Sequence, residues 1–134
     1  MIGILHEVPS IVDSRGKLSI IEFEKIVNFT IKRVYWLYQI QENAIRGGHA
    51  HKQLRQLIVA LNGSVEIVLD NGKNKSKHVL NSPSLMLEIG PNVWREIVSF
   101  INNPIVMILA SELYEEDDYI RNYEDFIKHA CSIS

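Results

Sequence analysis

Turn signals punctuate this chain at short, regular intervals, and that spacing leaves little room for long helices. Asp13-Ser14-Arg15-Gly16, Asn62-Gly63, Asn71-Gly72, Ser82-Pro83, Gly90-Pro91 and Asn102-Asn103-Pro104 are all turn or loop chemistry. Between them stand runs rich in β-branched and aromatic residues: Leu18 to Phe23, Ile31 to Ile40, Leu57 to Leu61, Val65 to Leu69, His78 to Leu80, Leu85 to Ile89, Val93 to Val98 and Ile105 to Ala110. Many short strands so spaced predict a sandwich or barrel. Asp70-Asn71-Gly72-Lys73 predicts a hairpin, because Asn and Gly both tolerate positive φ. In the second run Arg33, Tyr35 and Leu37 share one face, and Val34, Trp36 and Tyr38 share the other.

The carboxyl end changes period. Ile120, Tyr123, Phe126, Ile127 and Ala130 recur at helical spacing. Asp117 and Asp118 stand where a helix amino terminus favours negative charge, so a single closing helix is expected over about 117–130. With 134 residues and no repeat or linker, the chain reads as one domain. Its formal net charge of −2 argues against a nucleic-acid or anionic-membrane binder. One cysteine, Cys131, cannot form an internal disulfide, which points to the reducing cytoplasm. MIGILHEVPS lacks the basic start of a signal peptide, and no run has the length of a membrane span.

The chemistry concentrates in Arg46-Gly47-Gly48-His49-Ala50-His51-Lys52. On a strand the two histidines face the same way, and two adjacent imidazoles serve metal ligation or proton transfer. Together with Gln56 and Gly63 they resemble the first motif of the cupin superfamily, and Gly90-Pro91-Asn92-Val93-Trp94-Arg95-Glu96 resembles the second. The resemblance implies an all-β cupin jelly roll, a double-stranded β-helix, closed by the short α-helix. Gln56 stands where metal-binding cupins carry glutamate, and Glu96 is aligned with their usual histidine ligand. An amide is a poor ligand for a transition metal, so no metal and no cofactor are expected.

The chain further resembles the nucleotide-sugar 3,4-ketoisomerases. The likeness runs through Asp13 to Gly16, Ile31 to Tyr35, Arg46 to Lys52, Leu61 to Ser64, Gly90 to Trp94, Ala110-Ser111 and Asp118-Tyr119-Ile120-Arg121-Asn122-Tyr123. It implies conversion of TDP-4-oxo-6-deoxy-D-glucose to a 3-oxo isomer, a step toward the amino sugars of lipopolysaccharide O-antigens and S-layer glycans. It also implies a homodimer with exchanged amino-terminal strands. Where the family usually carries histidine, this chain has Arg95. An inward Arg95 would alter binding or stereochemistry, and strand alternation relative to Glu96 places it outward.

Moving a ketone from carbon 4 to carbon 3 needs two proton transfers through an enediol. Histidine, with an ordinary pKa near 6.5, suits both. His51 is assigned to the carbon 3 proton and His49 to carbon 4 or the oxygens, an order the residues leave open. Tyr35 is the third catalytic candidate, hydrogen-bonding a sugar oxygen or the enediolate. Arg33, Arg46, Lys52 and Arg121 are candidates for the diphosphate. Gln56 and Glu96 are expected to face the sugar, and Trp94 and Tyr119 to stack on thymine. A metal-dependent cupin, a non-catalytic sugar-binding cupin and a nucleotide-sugar 3,5-epimerase are the competing classes.

Overall fold

Two long strands organise the fold in the computed structural model, which describes residues 2–22, 25–41 and 43–134. In chain order the elements are β1 (Gly3–Glu7), β2 (Ser10–Asp13), β3 (Gly16–Ser19), β4 (Arg33–Leu37), β5 (Arg46–His51), β6 (Gln56–Asp70), β7 (Lys75–Leu80), β8 (Leu85–Ile89), β9 (Trp94–Ala110), β10 (Tyr119–Ile120) and α1 (Tyr123–Ile133). β6 and β9 pair antiparallel from Gln56↔Ala110 to Asp70↔Trp94. One half of this ladder is flanked by β8 and β4, the other by β7 and β5. The sheet therefore curls over on itself, with order β1-β8-β6-β9-β5-β10, and β4 on β9 and β7 on β6. This is the expected jelly-roll class.

Asn62-Gly63 and Asn102-Asn103-Pro104 do not end strands, as the sequence reading has them do. They are bulges inside β6 and β9, where the register shifts repeatedly between Ala60 and Glu66. The buried residues show why. Ile58 and Ala60 face the interior on one side of the bulge, and Val65, Ile67 and Leu69 face it on the other. β9 makes the same change, from Ile97 to Val106 and Ile108. An odd insertion swaps the inward-facing positions of a period-2 strand, so one strand serves both halves of the barrel. Gly63 has φ +67°, and Asn102 and Asn103 also take positive φ. Pro104 is tolerated because the ladder is already interrupted there.

Two further clusters cover the outside. Leu57, Val59, Met86 and Leu109 on the outer face pack against Val8, Val27 and Phe29 of the amino-terminal segment. Ala50, Trp94 and Ile120 pack against Phe126 of α1. The helix begins at Tyr123, later than the expected 117, because Asn122 caps it by accepting from Asp125 N. Ile120 of the expected helix lies instead in β10, paired with Ala50. The Asn71-Gly72 hairpin between β6 and β7 forms as expected, with Asp70 opposite Lys75. The run read from Leu18 ends as β3 at Ser19, and its last residue, Phe23, lies outside the described residues. No helix is long and apolar enough to cross a membrane among the described residues.

β1 pairs with β8 of the same chain, so it does not need a partner's edge. β2 and β3 form a separate two-stranded ribbon whose Ile11, Val12 and Leu18 are exposed.

The bulge at Gly63 generates a stability prediction. A Cβ there would meet Ile101 O at 2.5 Å and Asn102 O at 2.7 Å, at a φ that L side chains resist. Gly63→Ala is expected to destabilise the fold by at least about 2 kcal/mol, read as a lower urea midpoint with unchanged slope.

Candidate functional site

A second bulge builds the site. Gly47 pairs with Glu96 and His49 with Arg95, so Gly48 is an extra residue in β5. Gly47 and Gly48 have φ +83° and +68°. A Cβ on Gly47 would meet Arg95 O at 2.9 Å, so the glycine pair is a geometric requirement of the approach to β9. Beyond the bulge His49 and His51 face inward, while Ala50 joins the outer cluster under α1.

A cavity of about 420 Å³ opens at this end of the barrel, lined by Arg33, Tyr35, Ile45, Arg46, Gly47, His49, Tyr119 and Arg121. It shares Tyr35, Arg46, Gly47 and His49 with an inner cavity of about 80 Å³ that reaches Gln56 and Arg95. Arg33 has its Nε and Nη2 buried without a partner among the described residues. Arg121 stacks 4.2 Å over the Tyr119 ring and donates to Glu116 at 2.7 and 2.9 Å. That pairing holds the Glu116 carboxyl down at about 2.

The two histidines are not equivalent. His49 lines the cavity; His51 is fully buried and absent from its wall. His51 sits 4.8 Å edge-on from His49 and 4.3 Å from the Tyr119 ring, centroid to centroid. Its Nδ1 lies 3.3 Å from Asp118 Oδ2. That carboxylate is fixed by Gln53 N at 2.7 Å and Leu54 N at 3.2 Å. The contact closes no hydrogen bond, and both His51 ring nitrogens are buried without a partner among the described residues; the nearby carboxylate charge favours hydrogen on Nδ1 over Nε2. In sequence Asp118 reads as a helix start, and only the Asp-Tyr-Ile-Arg segment signals its place beside His51.

Burial pushes the His49 pKa down to about 4 and that of His51 to about 2, with the Arg95 charge as the next cause in each. Both imidazoles are therefore neutral near pH 7. A neutral imidazole is the form that can take a proton.

Several expected positions are corrected. Arg95 points inward and is 2% exposed. Its Nη1 donates to Gln56 Oε1 at 2.6 Å and its Nη2 to Val93 O at 2.8 Å. Arg95, not Glu96, therefore occupies the inward position opposite His49. Glu96 and Trp94 face the other side of β9. Trp94 Nε1 donates to Glu96 Oε1 at 3.2 Å, and the indole packs on Tyr123 and Phe126. Neither lines the pocket, and neither does Lys52, which is exposed beyond β5. Tyr119 lies against the two imidazoles at 5.1 and 4.3 Å. Tyr35 lines both cavities and accepts a hydrogen bond from Gln56 Nε2 at 2.9 Å.

Among the described residues, no three His, Cys, Asp or Glu side chains gather closely enough to hold a metal ion. A divalent cation at the histidines would also face the Arg95 charge, which strand pairing sets opposite His49.

The family described as FdtA, WxcM-like, C-terminal matches residues 3–131. A TDP-4-oxo-6-deoxy-alpha-D-glucose-3,4-oxoisomerase of Aneurinibacillus thermoaerophilus is 44% identical over 124 residues, 92% of this chain and 89% of that one. The structure is similar to QdtA, a sugar 3,4-ketoisomerase from Thermoanaerobacterium thermosaccharolyticum in complex with TDP. The TM-score is 0.94 at 41% identity, covering 98% and 96% of the two chains. A histidine-to-asparagine variant of QdtA, in complex with TDP-4-keto-6-deoxyglucose, matches equally well at 0.94, with 40% identity over 98% and 95% of the chains. A dTDP-4-dehydrorhamnose 3,5-epimerase of Bacillus anthracis shares the fold alone, with TM-score 0.77 at 19% identity over 87% and 76% of the chains. The chain belongs to the FdtA, WxcM-like family.

The buried neutral histidines set a pH dependence. The unfolded chain binds their protons near pH 6.5, and the native chain refuses them until far lower pH. Stability should therefore fall as pH drops below about 6.5. Urea midpoints at about pH 7 and about pH 5 check this, and His51→Asn should flatten the difference. In an NMR titration both rings should remain neutral where an exposed imidazole is half protonated.

Proposed function

We propose that the chain is an isomerase that converts TDP-4-oxo-6-deoxy-D-glucose to a TDP-3-oxo-6-deoxy hexose without a metal. The observation that carries this reading is one pocket that joins a neutral imidazole, His49, to buried, unpaired guanidinium nitrogens of Arg33. A nucleoside diphosphate supplies the charge that Arg33 lacks, with Arg46 at the rim and Arg121 beside Tyr119. A neutral ketose presents a carbon acid to the imidazole.

His49 takes the proton from carbon 3, because it lines the pocket and His51 does not. This reverses the order assigned from sequence. Removal of that proton forms the carbon 3–carbon 4 double bond and moves negative charge to the carbon 4 oxygen. Tyr35 donates to that oxygen. The carbon 4 oxygen takes up the first proton to give the enediol; the carbon 3 hydroxyl then loses its proton as carbon 4 gains one, and the ketone stands at carbon 3 beside a carbon 4 hydroxyl. His51, with the Asp118 carboxylate beside its Nδ1, exchanges protons with this system from behind His49 and Tyr119. Gln56 acts on Tyr35, and Arg95 on Gln56.

The enzyme is a homodimer in which the β2–β3 ribbons are exchanged. The support is the ribbon's exposed Ile11, Val12 and Leu18, together with Val34, Trp36 and Tyr38 exposed on β4.

The test is an NMR spectrum of TDP-4-oxo-6-deoxyglucose with the protein in deuterated buffer containing a strong chelator. Wild type should form the 3-oxo isomer and exchange the carbon 3 proton, at a rate unchanged by the chelator. His49→Asn should stop that exchange while TDP still binds. His51→Asn should slow net isomerisation by about 10²-fold and retain some exchange. Exchange that survives in His49→Asn and disappears in His51→Asn would restore the order assigned from sequence. Light scattering at micromolar concentration should give a dimer mass, and Ile11→Asp with Leu18→Asp should shift it toward monomer.

A further inference from the structure

The inner cavity holds a hydrogen-bonded chain whose direction follows from chemistry. A guanidinium only donates. Arg95 Nη1 lies 2.6 Å from the Gln56 amide, so the amide atom facing it is the oxygen. Gln56 therefore turns its Nε2 toward Tyr35, 2.9 Å from the phenol oxygen. An amide nitrogen also only donates, so Tyr35 accepts at this contact. Its own hydrogen must leave in another direction, and the side chain lines the open pocket. The far end of the relay is anchored where Arg95 Nη2 donates to Val93 O.

We propose that Arg95 and Gln56 are positioning residues that fix Tyr35 as a hydrogen-bond donor to the carbon 4 oxygen of the substrate. The inference rests on the ketoisomerase reading above. That oxygen becomes anionic only after carbon 3 is deprotonated, so a donor already aimed at it favours the enediolate over the ketone. Donation into the phenol oxygen from Gln56 polarises the O–H further, as in any hydrogen-bonded chain. Burial keeps the Tyr35 pKa above its ordinary value, so the phenol retains the proton it must offer. Arg95 is fully buried, yet its pKa, lowered to about 10 by that burial, leaves it charged at neutral pH. The relay therefore keeps one direction across the working range.

Gln56→Glu tests the direction with little change of shape. A carboxylate accepts from Arg95 with one oxygen and from Tyr35 with the other, so the phenol hydrogen turns away from the pocket. The variant keeps an ion pair with Arg95, and an unchanged thermal midpoint with retained TDP binding verifies its fold. With chelator present, kcat should fall by about 10²-fold while KM stays within about threefold. Adding Tyr35→Phe to Gln56→Glu should cost less than about twofold more, because both remove the same donor. The tyrosine Raman doublet, as a difference against each Tyr35→Phe background, distinguishes a donating from an accepting phenol. It should shift toward the donor signature in Gln56→Glu. An active wild type whose Gln56→Glu variant keeps full kcat, or whose Raman doublet does not move, overturns the relay. An inactive wild type overturns instead the ketoisomerase reading on which the role at carbon 4 rests.

Discussion

The β6–β9 ladder is the constraint from which the rest follows. It runs from Gln56↔Ala110 to Asp70↔Trp94, and its bulges let two strands line both halves of one barrel. Without the change of inward-facing positions, Val65, Ile67 and Leu69 would face solvent whenever Ile58 and Ala60 faced the core. The same switch sets the site. Gln56 at the start of β6 and Arg95 at the start of β9 are far apart along the ladder. Curling brings them within 2.6 Å across the barrel interior. The pocket chemistry is therefore a consequence of how the sheet closes.

Burial then decides the protonation states. Arg95 is 2% exposed with an Nε that has no partner among the described residues, and Arg33 adds two such nitrogens. Unpaired buried cations are costly, so such a barrel end favours an anionic occupant and disfavours any second positive charge. The histidines stay neutral first because they are buried and next because the Arg95 charge lies close. The cationic field that suits an anionic occupant thus adds to burial in keeping the imidazoles unprotonated. Glu116 offsets part of the field through Arg121, at the rim where solvent already screens it.

Much of this was legible in the residues, for physical reasons that differ by element. The Asn71-Gly72 hairpin and the alternation of Arg33, Tyr35 and Leu37 are local, and local rules found them. The His49–His51 pair was found because a period-2 strand sets both on one face. The bulges read as turns in sequence because Asn62-Gly63 and Asn102-Asn103-Pro104 carry the same positive-φ chemistry that turns need; pairing partners far along the chain keep the strands continuous. From sequence Arg95 reads outward and Glu96 inward because the motif alignment sets Glu96 at the inward ligand position, whereas strand pairing sets Arg95 opposite His49. Trp94 went with Glu96 to the helix-covered side. Asp118 was read as a helix start because its partners, Gln53, Leu54 and His51, lie far off in sequence.

The inward position opposite His49 also explains how this barrel end differs from a metal centre. A metal there would draw electron density from a substrate oxygen by direct coordination, and would need ligands that supply negative charge. Gln56 supplies none, and Arg95 brings a positive charge of its own, tied to the protein by two hydrogen bonds. A fixed guanidinium cannot reach an oxygen that varies in place between ketone and enediolate. It can set the polarity of the groups that do. Passing that polarity through Gln56 to Tyr35 moves the electrophilic end of the chain to the pocket wall. There a single phenol hydrogen meets charge only as it develops. The cation set opposite His49 is thus the group that gives its neighbours a direction, and a neutral side chain in its place would leave the Gln56 amide free to turn.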